Sequence, residues 1–451
     1  MNVDRSWLIT GGLLLVLVVE AMLVAGVHLS AAASLLYFFG ITVAANQVFS
    51  GERWTACVGL FVMYTGLILV GYYLNWAAFP SYYGFTSAEI AGTDDSYFYS
   101  LTAAYLPSDF PVRPTYYLRD HPYAILMRAV TPFPVNHPLD ILFFNAIGAT
   151  FIPIFARMLA SELTGDRKVA RMTFWMVAFG PFLWTNSLVL VRDGWTAALF
   201  AGSIAFFLRQ QFVRASALAA LLFFLRIASG LQLLLVVGML TLGVLIQLES
   251  TRRKVLYLSI TAVGGVVALV VVYPMLLARV QSMGGDSLLG LLVRENFIEA
   301  LQSMDPGTFI ATINTQPLYI RLPAALLFFL TFPFINPSDI LVQGRVIWRS
   351  ILLNVYSAVF IVYFKFLVQG ILHAIREGSM AMRMFTLAIL LTVLFLSQAS
   401  MQLRHKTMIM PALYLISAFG YHHASDLEKQ IGWVALFGIL VLNVLKFLLG
   451  I

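Results

Sequence analysis

The sequence predicts an all-α fold, a polytopic transmembrane helical bundle of about 12–14 spans with one large structured outer loop, since a span takes roughly 20 apolar residues. Three observations carry this. The 451 residues are 60% hydrophobic and only 11% charged, with mean hydropathy +0.87, whereas a soluble domain carries about 25% charged residues. Apolar runs recur along almost the whole chain. One stretch near residues 78–137 breaks that rhythm with Tyr, Phe, Pro and paired charges.

The runs cover 7–28, 30–49, 54–77, 138–160, 172–191, 194–209, 215–248, 254–278, 322–336, 350–372, 383–400, 407–421 and 430–450. The first is followed at once by the second with no small-residue cleavage site, which reads as a retained span. The organisation is therefore N-terminal spans over 1–77, a large extracytoplasmic loop over 78–137, and a transmembrane core over 138–451 with a second outer loop at 279–320. Lys and Arg favour the cytoplasmic side of short loops. The clusters Arg167-Lys168/Arg171, Arg209/Arg214 and Arg252-Arg253-Lys254 are placed inside, which sets the amino terminus inside and 78–137 outside. The run 215–248 starts and ends beside clusters on one side, so it turns back. Arg226 followed by Ser229-Gly230 marks the turn, with Arg226 near the outer face. Irregular backbone at that depth needs protein or a wet cavity around it. After residue 320 two arrangements remain open. If 322–349 crosses once, Arg376 and Arg383 lie outside; if it re-enters, they lie inside, which charge counting prefers.

The net charge of +7 fits positive-inside loops and phosphate binding, not nucleic acid. Cys57 is the one cysteine and lies in an apolar run, which excludes disulfides and cysteine metal sites. The histidines His28, His373, His422 and His423 show no metal-ligand spacing with carboxylates, so no metal and no cofactor is called for.

The loop 78–137 is too aromatic to be disordered by composition, and long ordered loops usually carry function. Asp94 and Asp95 in Gly92-Thr93-Asp94-Asp95-Ser96-Tyr97-Phe98-Tyr99 head an expected short helix over 96–105. One of them can cap it; the other reading is a general base that deprotonates a sugar hydroxyl. Arg119 and His121, with Arg113 and Asp120 nearby, either hold phosphate oxygens or form a surface pair. The loop tyrosines serve as an interfacial belt or stack on sugar rings. Arg192, in Leu190-Val191-Arg192-Asp193-Gly194-Trp195, snorkels, pairs with Asp193 or faces an anion. Arg226 lies mid-run, where a charge is costly and is kept for pairing or function. Together the two arginines form a set able to grip a diphosphate bidentately. Arg404-His405-Lys406 before Pro411 suit phosphate, or the basic flank of a span.

In this order these residues resemble the GT-C group of polytopic glycosyltransferases, which use polyprenyl-phosphate-linked sugars. The resemblance rests on Asp94-Asp95-Ser-Tyr-Phe-Tyr in an outer loop, His121-Pro122-Tyr123, the Arg192-Asp193-Gly194 junction, the span with Arg226 and Arg404-His405…Pro411. It touches roughly 85–235 and 320–415. It implies Asp94 or Asp95 as catalytic base, and Arg192, Arg226, Arg404, His405, Arg119 and His121 on the phosphate. The partners implied are a polyprenyl-linked saccharide donor, a saccharide or lipid-linked acceptor and membrane lipids, in a bacterial inner membrane with the site on the extracytoplasmic face. One departure is that the acidic loop follows the third run, where GT-C enzymes carry it after the first span. Arginine-bearing spans are also similar to those of Wzy-type polysaccharide polymerases. A transporter or flippase for an anionic lipid or solute, or a noncatalytic assembly protein, are the readings from other classes.

Overall fold

The computed structural model describes residues 5–50, 53–76, 122–132, 134–187, 192–247, 317–331, 341–342, 345–346, 348–399 and 406–449, with Thr102 and isolated positions between 251 and 266. Asp94, Asp95, Arg119, His121, Arg404 and His405, and the helix expected over 96–105, lie outside the described residues. Among the described residues the architecture is helical apart from one hairpin of two-residue strands, Leu341–Val342 and Arg345–Val346. Among the described residues, seven helices are long and apolar enough to cross a membrane. The all-helical, multi-pass architecture read from the apolar runs is thereby found. The chain divides into two compact units, one comprising residues 1–226, 335–359 and 410–415, the other 227–334, 360–409 and 416–451.

The first unit opens with α1 (Arg5–Val27), α2 (Leu29–Ala45) and α3 (Trp54–Gly71). The lone residue between α1 and α2 is His28, in extended backbone. Buried Glu20 of α1 accepts a 2.7 Å bond from Thr65 of α3, and Gly66 leaves room for its other oxygen. After the short α4 (Pro122–Val130) comes α5 (Leu139–Thr164), the axis of the unit. Every position of its most apolar window is buried, as a helix apolar on all faces requires. Its end is set by Gly165, whose φ of 64° is the left-handed cap that glycine adopts without strain.

The apolar run at 172–191 is not one span. The chain forms α6 (Arg167–Ala178), capped by the Asp166 carboxylate on the Lys168 N–H, breaks at Gly180-Pro181, and continues as α7 (Pro181–Ser187). Then α8 (Asp193–Leu208) runs parallel to α5 at a constant offset. Trp195 covers Gly148, Gly202 sits against Phe155, and Arg209 bonds Glu162, each pair 47 positions apart. A Cβ on Gly148 would lie 3.2 Å from the Trp195 ring, so the glycine lets the indole lie flat on α5. Gln210, with φ 61°, turns the chain into α9 (Phe212–Leu225), which packs back along α8.

The second unit contains α10 (Ile227–Gln247), α11 (Leu318–Thr331), the latter part of α12 (Trp348–Arg376), α13 (Met380–Ala399), the latter part of α14 (Met410–His423) and α15 (Asp426–Leu449). Gly243, late in α10, faces the Met380 carbonyl and the Met384 side chain at the start of α13. Arg376 and Arg383 therefore lie at the same end of this unit as the C-terminal end of α10. At the same end Ser425 and Glu428 form a reciprocal cap on α15, and His373 of α12 reaches the same carboxylate at 3.1 Å. Gly370 and Gly420 let α12 and α14 cross backbone to backbone, as small residues do where membrane helices touch.

Candidate functional site

The run in which a turn is expected at Arg226 followed by Ser229-Gly230 is interrupted at Arg226. This residue is extended, with φ −159° and ψ 101°, between the end of α9 and the start of α10. A helix break frees backbone carbonyls that lipid cannot satisfy. Here the freed Leu225 carbonyl accepts a 3.0 Å bond from Arg192 Nη1. In return Arg226 Nη1 donates to Asp193 Oδ1 at 2.8 Å. The Arg192-Asp193 dipeptide at the head of α8 thus holds the Leu225-Arg226 dipeptide at the end of α9, with one backbone and one side-chain bond.

Asp193 binds Arg226, 33 positions away, because the first residue of α8 points its carboxylate across to α9. The side chains of Arg226 and Asp193 are 15% and 4% exposed. Such a pair sits largely out of water, where each charge depends on the other. The two guanidiniums are therefore not a free phosphate fork: Arg226 is already neutralised. By the α5–α8 offset Asp193 is level with Ala146, about 10 Å from the N-terminal end of α5 at 1.5 Å per residue.

Level with this cluster is an aromatic floor. Phe144 and Trp195 stack at 4.6 Å, Tyr123 packs on Phe144 at 6.2 Å, and the Tyr123 hydroxyl donates to Asn145. Of the His121-Pro122-Tyr123 segment, the structure thus describes Pro122 and Tyr123, and buries Tyr123 against α5. Trp195 Nε1 is buried with no acceptor among the described residues. A buried donor left so is costly, and ligand oxygens are one way to satisfy it.

Sequence reasoning missed a second cluster in the same unit, where α2 and α5 begin. His28 Nδ1 and Ser30 Oγ are 2.7 Å apart, and Ser30 Oγ donates to Asp140 Oδ1 at 2.5 Å. The backbone N–H groups of Asn136 and His137 fill Asp140 Oδ2 at 2.9 and 2.7 Å. The His137 ring lies 5.4 Å from that of His28 and nearly parallel to it. Burial holds the His137 imidazole below its usual range, against the raising effect of Asp140, while His28 lowers it further. The signal was topological: residues 28–30 and 137–140 flank spans whose outer ends the charge pattern had already placed on one side.

Lys406, the described member of the Arg404-His405-Lys406 cluster, is not a solvated flank. It is fully buried in the second unit, donating to the Leu330 carbonyl at 2.8 Å and standing 4.3 Å over the Phe360 ring.

No protein-family model, no curated protein and no solved structure matches this chain.

Proposed function

We propose that the protein is a glycosyltransferase of a bacterial inner membrane, moving a sugar or oligosaccharide from a polyprenyl (pyro)phosphate donor to an acceptor during cell-surface polysaccharide synthesis. The observation that carries this reading is the Arg192–Asp193–Arg226 cluster. It sets two guanidiniums and a carboxylate at a helix break near the N-terminal end of α5, beside an aromatic floor whose indole N–H has no acceptor among the described residues. The reaction breaks the bond from the anomeric carbon to the phosphate oxygen, and the phosphate leaves with the electron pair. A fixed guanidinium beside that oxygen stabilises the growing charge. The aromatic rings suit the apolar face of a sugar. The resemblance implies Asp94 or Asp95 as the base that takes the acceptor proton.

The test is transfer by the full chain, in proteoliposomes, from a panel of undecaprenyl-phosphoryl and -diphosphoryl sugars. Arg192→Gln should raise KM for the donor and lower kcat. Failure of the wild-type protein to release polyprenyl phosphate from any donor would sink the reading. The break at Arg226 favours one second reading, a transporter of an anionic lipid or solute, because such proteins bind ligand at interrupted helices. Flux of labelled lipid across the bilayer without covalent change separates it. Accumulation of single repeat units in a mutant strain separates a Wzy-type polymerase.

A further inference from the structure

The outer cluster is assembled from three elements. His28 occupies the break between α1 and α2, Ser30 the first turn of α2, and Asp140 the first turn of α5. Its hydrogen bonds fix where the protons lie. Asp140 is completely buried and accepts on both oxygens, from two backbone N–H groups and from Ser30. A serine hydroxyl has one proton. Since Ser30 gives it to Asp140, the His28 Nδ1–H must be the donor in the 2.7 Å contact with Ser30 Oγ. The neutral imidazole then carries its lone pair on Nε2. The His28 side chain is 36% exposed, and Nε2 has no protein partner among the described residues. The chain Asp140–Ser30–His28 thus holds one tautomer and orients one basic nitrogen outward, the task that an aspartate performs directly for a catalytic histidine.

The position also fits. Asp140, Phe144 and Gly148 follow one another at four-residue spacing on one ridge of α5. The first meets Ser30 and the other two meet Trp195. His28 therefore stands at the upper end of the ridge whose lower part carries the aromatic floor, while Asp193 is level with Ala146. The axial separation from Asp140 to that level is about 9 Å at 1.5 Å per residue, the scale of a sugar ring with its phosphate. Among the described residues the other titratable groups around it are His137, stacked on the ring, Asp140, bonded through Ser30, and Tyr72, edge-on to His137 at 5.8 Å.

We propose that His28 is the proton acceptor for the incoming hydroxyl, in place of Asp94 and Asp95, with Ser30 and Asp140 as positioning residues. This rests on the transferase reading. The acceptor O–H proton goes to His28 Nε2, the oxygen bonds to the anomeric carbon, the carbon–phosphate-oxygen bond breaks, and the imidazolium returns its proton to bulk water.

Two measurements test it. In the first, diethylpyrocarbonate is applied to the full chain in detergent micelles and carbethoxylation is mapped by mass spectrometry. Of the seven histidines, His28 should react fastest, and Ser30→Ala, which keeps the imidazole, should slow it several-fold. Ordinary reactivity at His28, or indifference to Ser30→Ala, overturns the inference even if no donor is turned over. In the second, transfer from the same undecaprenyl-linked panel is followed against pH. His28→Gln should lower kcat about 10²–10⁴-fold and flatten the acid limb with donor KM unchanged, and Ser30→Ala should give a partial loss. A wild-type acid limb in His28→Gln, removed instead by Asp94→Asn with Asp95→Asn, overturns the inference and leaves the transferase reading standing.

Discussion

Helix α8 is closed at each end by an ion pair of the same length. At its inner end Arg209 meets Glu162 at 2.8 Å, with both side chains about a third exposed (31% and 30%). At its outer end Asp193 meets Arg226, also at 2.8 Å, but at 4% and 15% exposure. Geometry does not separate the pairs; water does. The inner pair joins two parallel helices at a basic surface, and solvent replaces either partner when it is lost. The outer pair spans a break in the backbone, and neither partner has water to fall back on. An exposed pair contributes about 0–1 kcal/mol, while removing one member of a buried pair costs about 3–5 kcal/mol. A protein keeps so expensive an arrangement in lipid where it specifies a structure or meets a ligand.

The largest effect expected is therefore from Asp193→Ala, which leaves the Arg226 guanidinium buried and uncompensated. It should cost about 3–5 kcal/mol in reversible denaturation in mixed micelles, and the double replacement Asp193→Leu with Arg226→Met should recover most of it. If Asp193→Ala unfolds no more easily than wild type, the outer pair is not the buried lock described. Next comes Gly148→Val, whose side chain would push the Trp195 indole off α5. A cost of about 1–3 kcal/mol is expected for such overpacking, with a shift in tryptophan fluorescence. A smaller effect is expected from acid. The folded state holds the His137 imidazole below its ordinary range, so it binds protons less readily than the unfolded chain. Its contribution is complete above the ordinary imidazole range and is lost as pH falls through it. Thermal stability should drop on acidification through that range, and His137→Gln should shrink the drop. The smallest effect is Arg209→Ala, with an expected loss of under about 1 kcal/mol that 0.5 M salt removes. A loss equal to that of Asp193→Ala would erase the distinction between the two ends.

The comparison also separates what could be read in the chain from what could not. The long apolar runs announced α1, α2, α3, α5, α12, α13 and α15, because a helix in lipid must be apolar over its length whatever it packs against. Arg226 was legible as the point where one run is interrupted, since a charge there is costly. Ser229-Gly230 is the better local turn sequence, but α10 begins at Ile227 because Arg192 and Asp193 satisfy the break one residue earlier. Similarly, Gly180-Pro181 stops α6 inside a run that hydropathy reads as continuous.

By itself, then, the sequence determined that the chain is a multi-pass helical membrane protein, which loops carry its positive charge, and that Arg192 and Arg226 need partners. These follow from composition and from the cost of charge in lipid, which act residue by residue. Only the tertiary structure decided who the partners are. Asp193 turns to an arginine 33 positions away, and Ser30 finds an aspartate 110 positions away. Such choices are made by the offset between packed helices. That offset is set by where a glycine such as Gly148 lets an indole lie flat, a fact of shape that no local pattern of charge or hydropathy records.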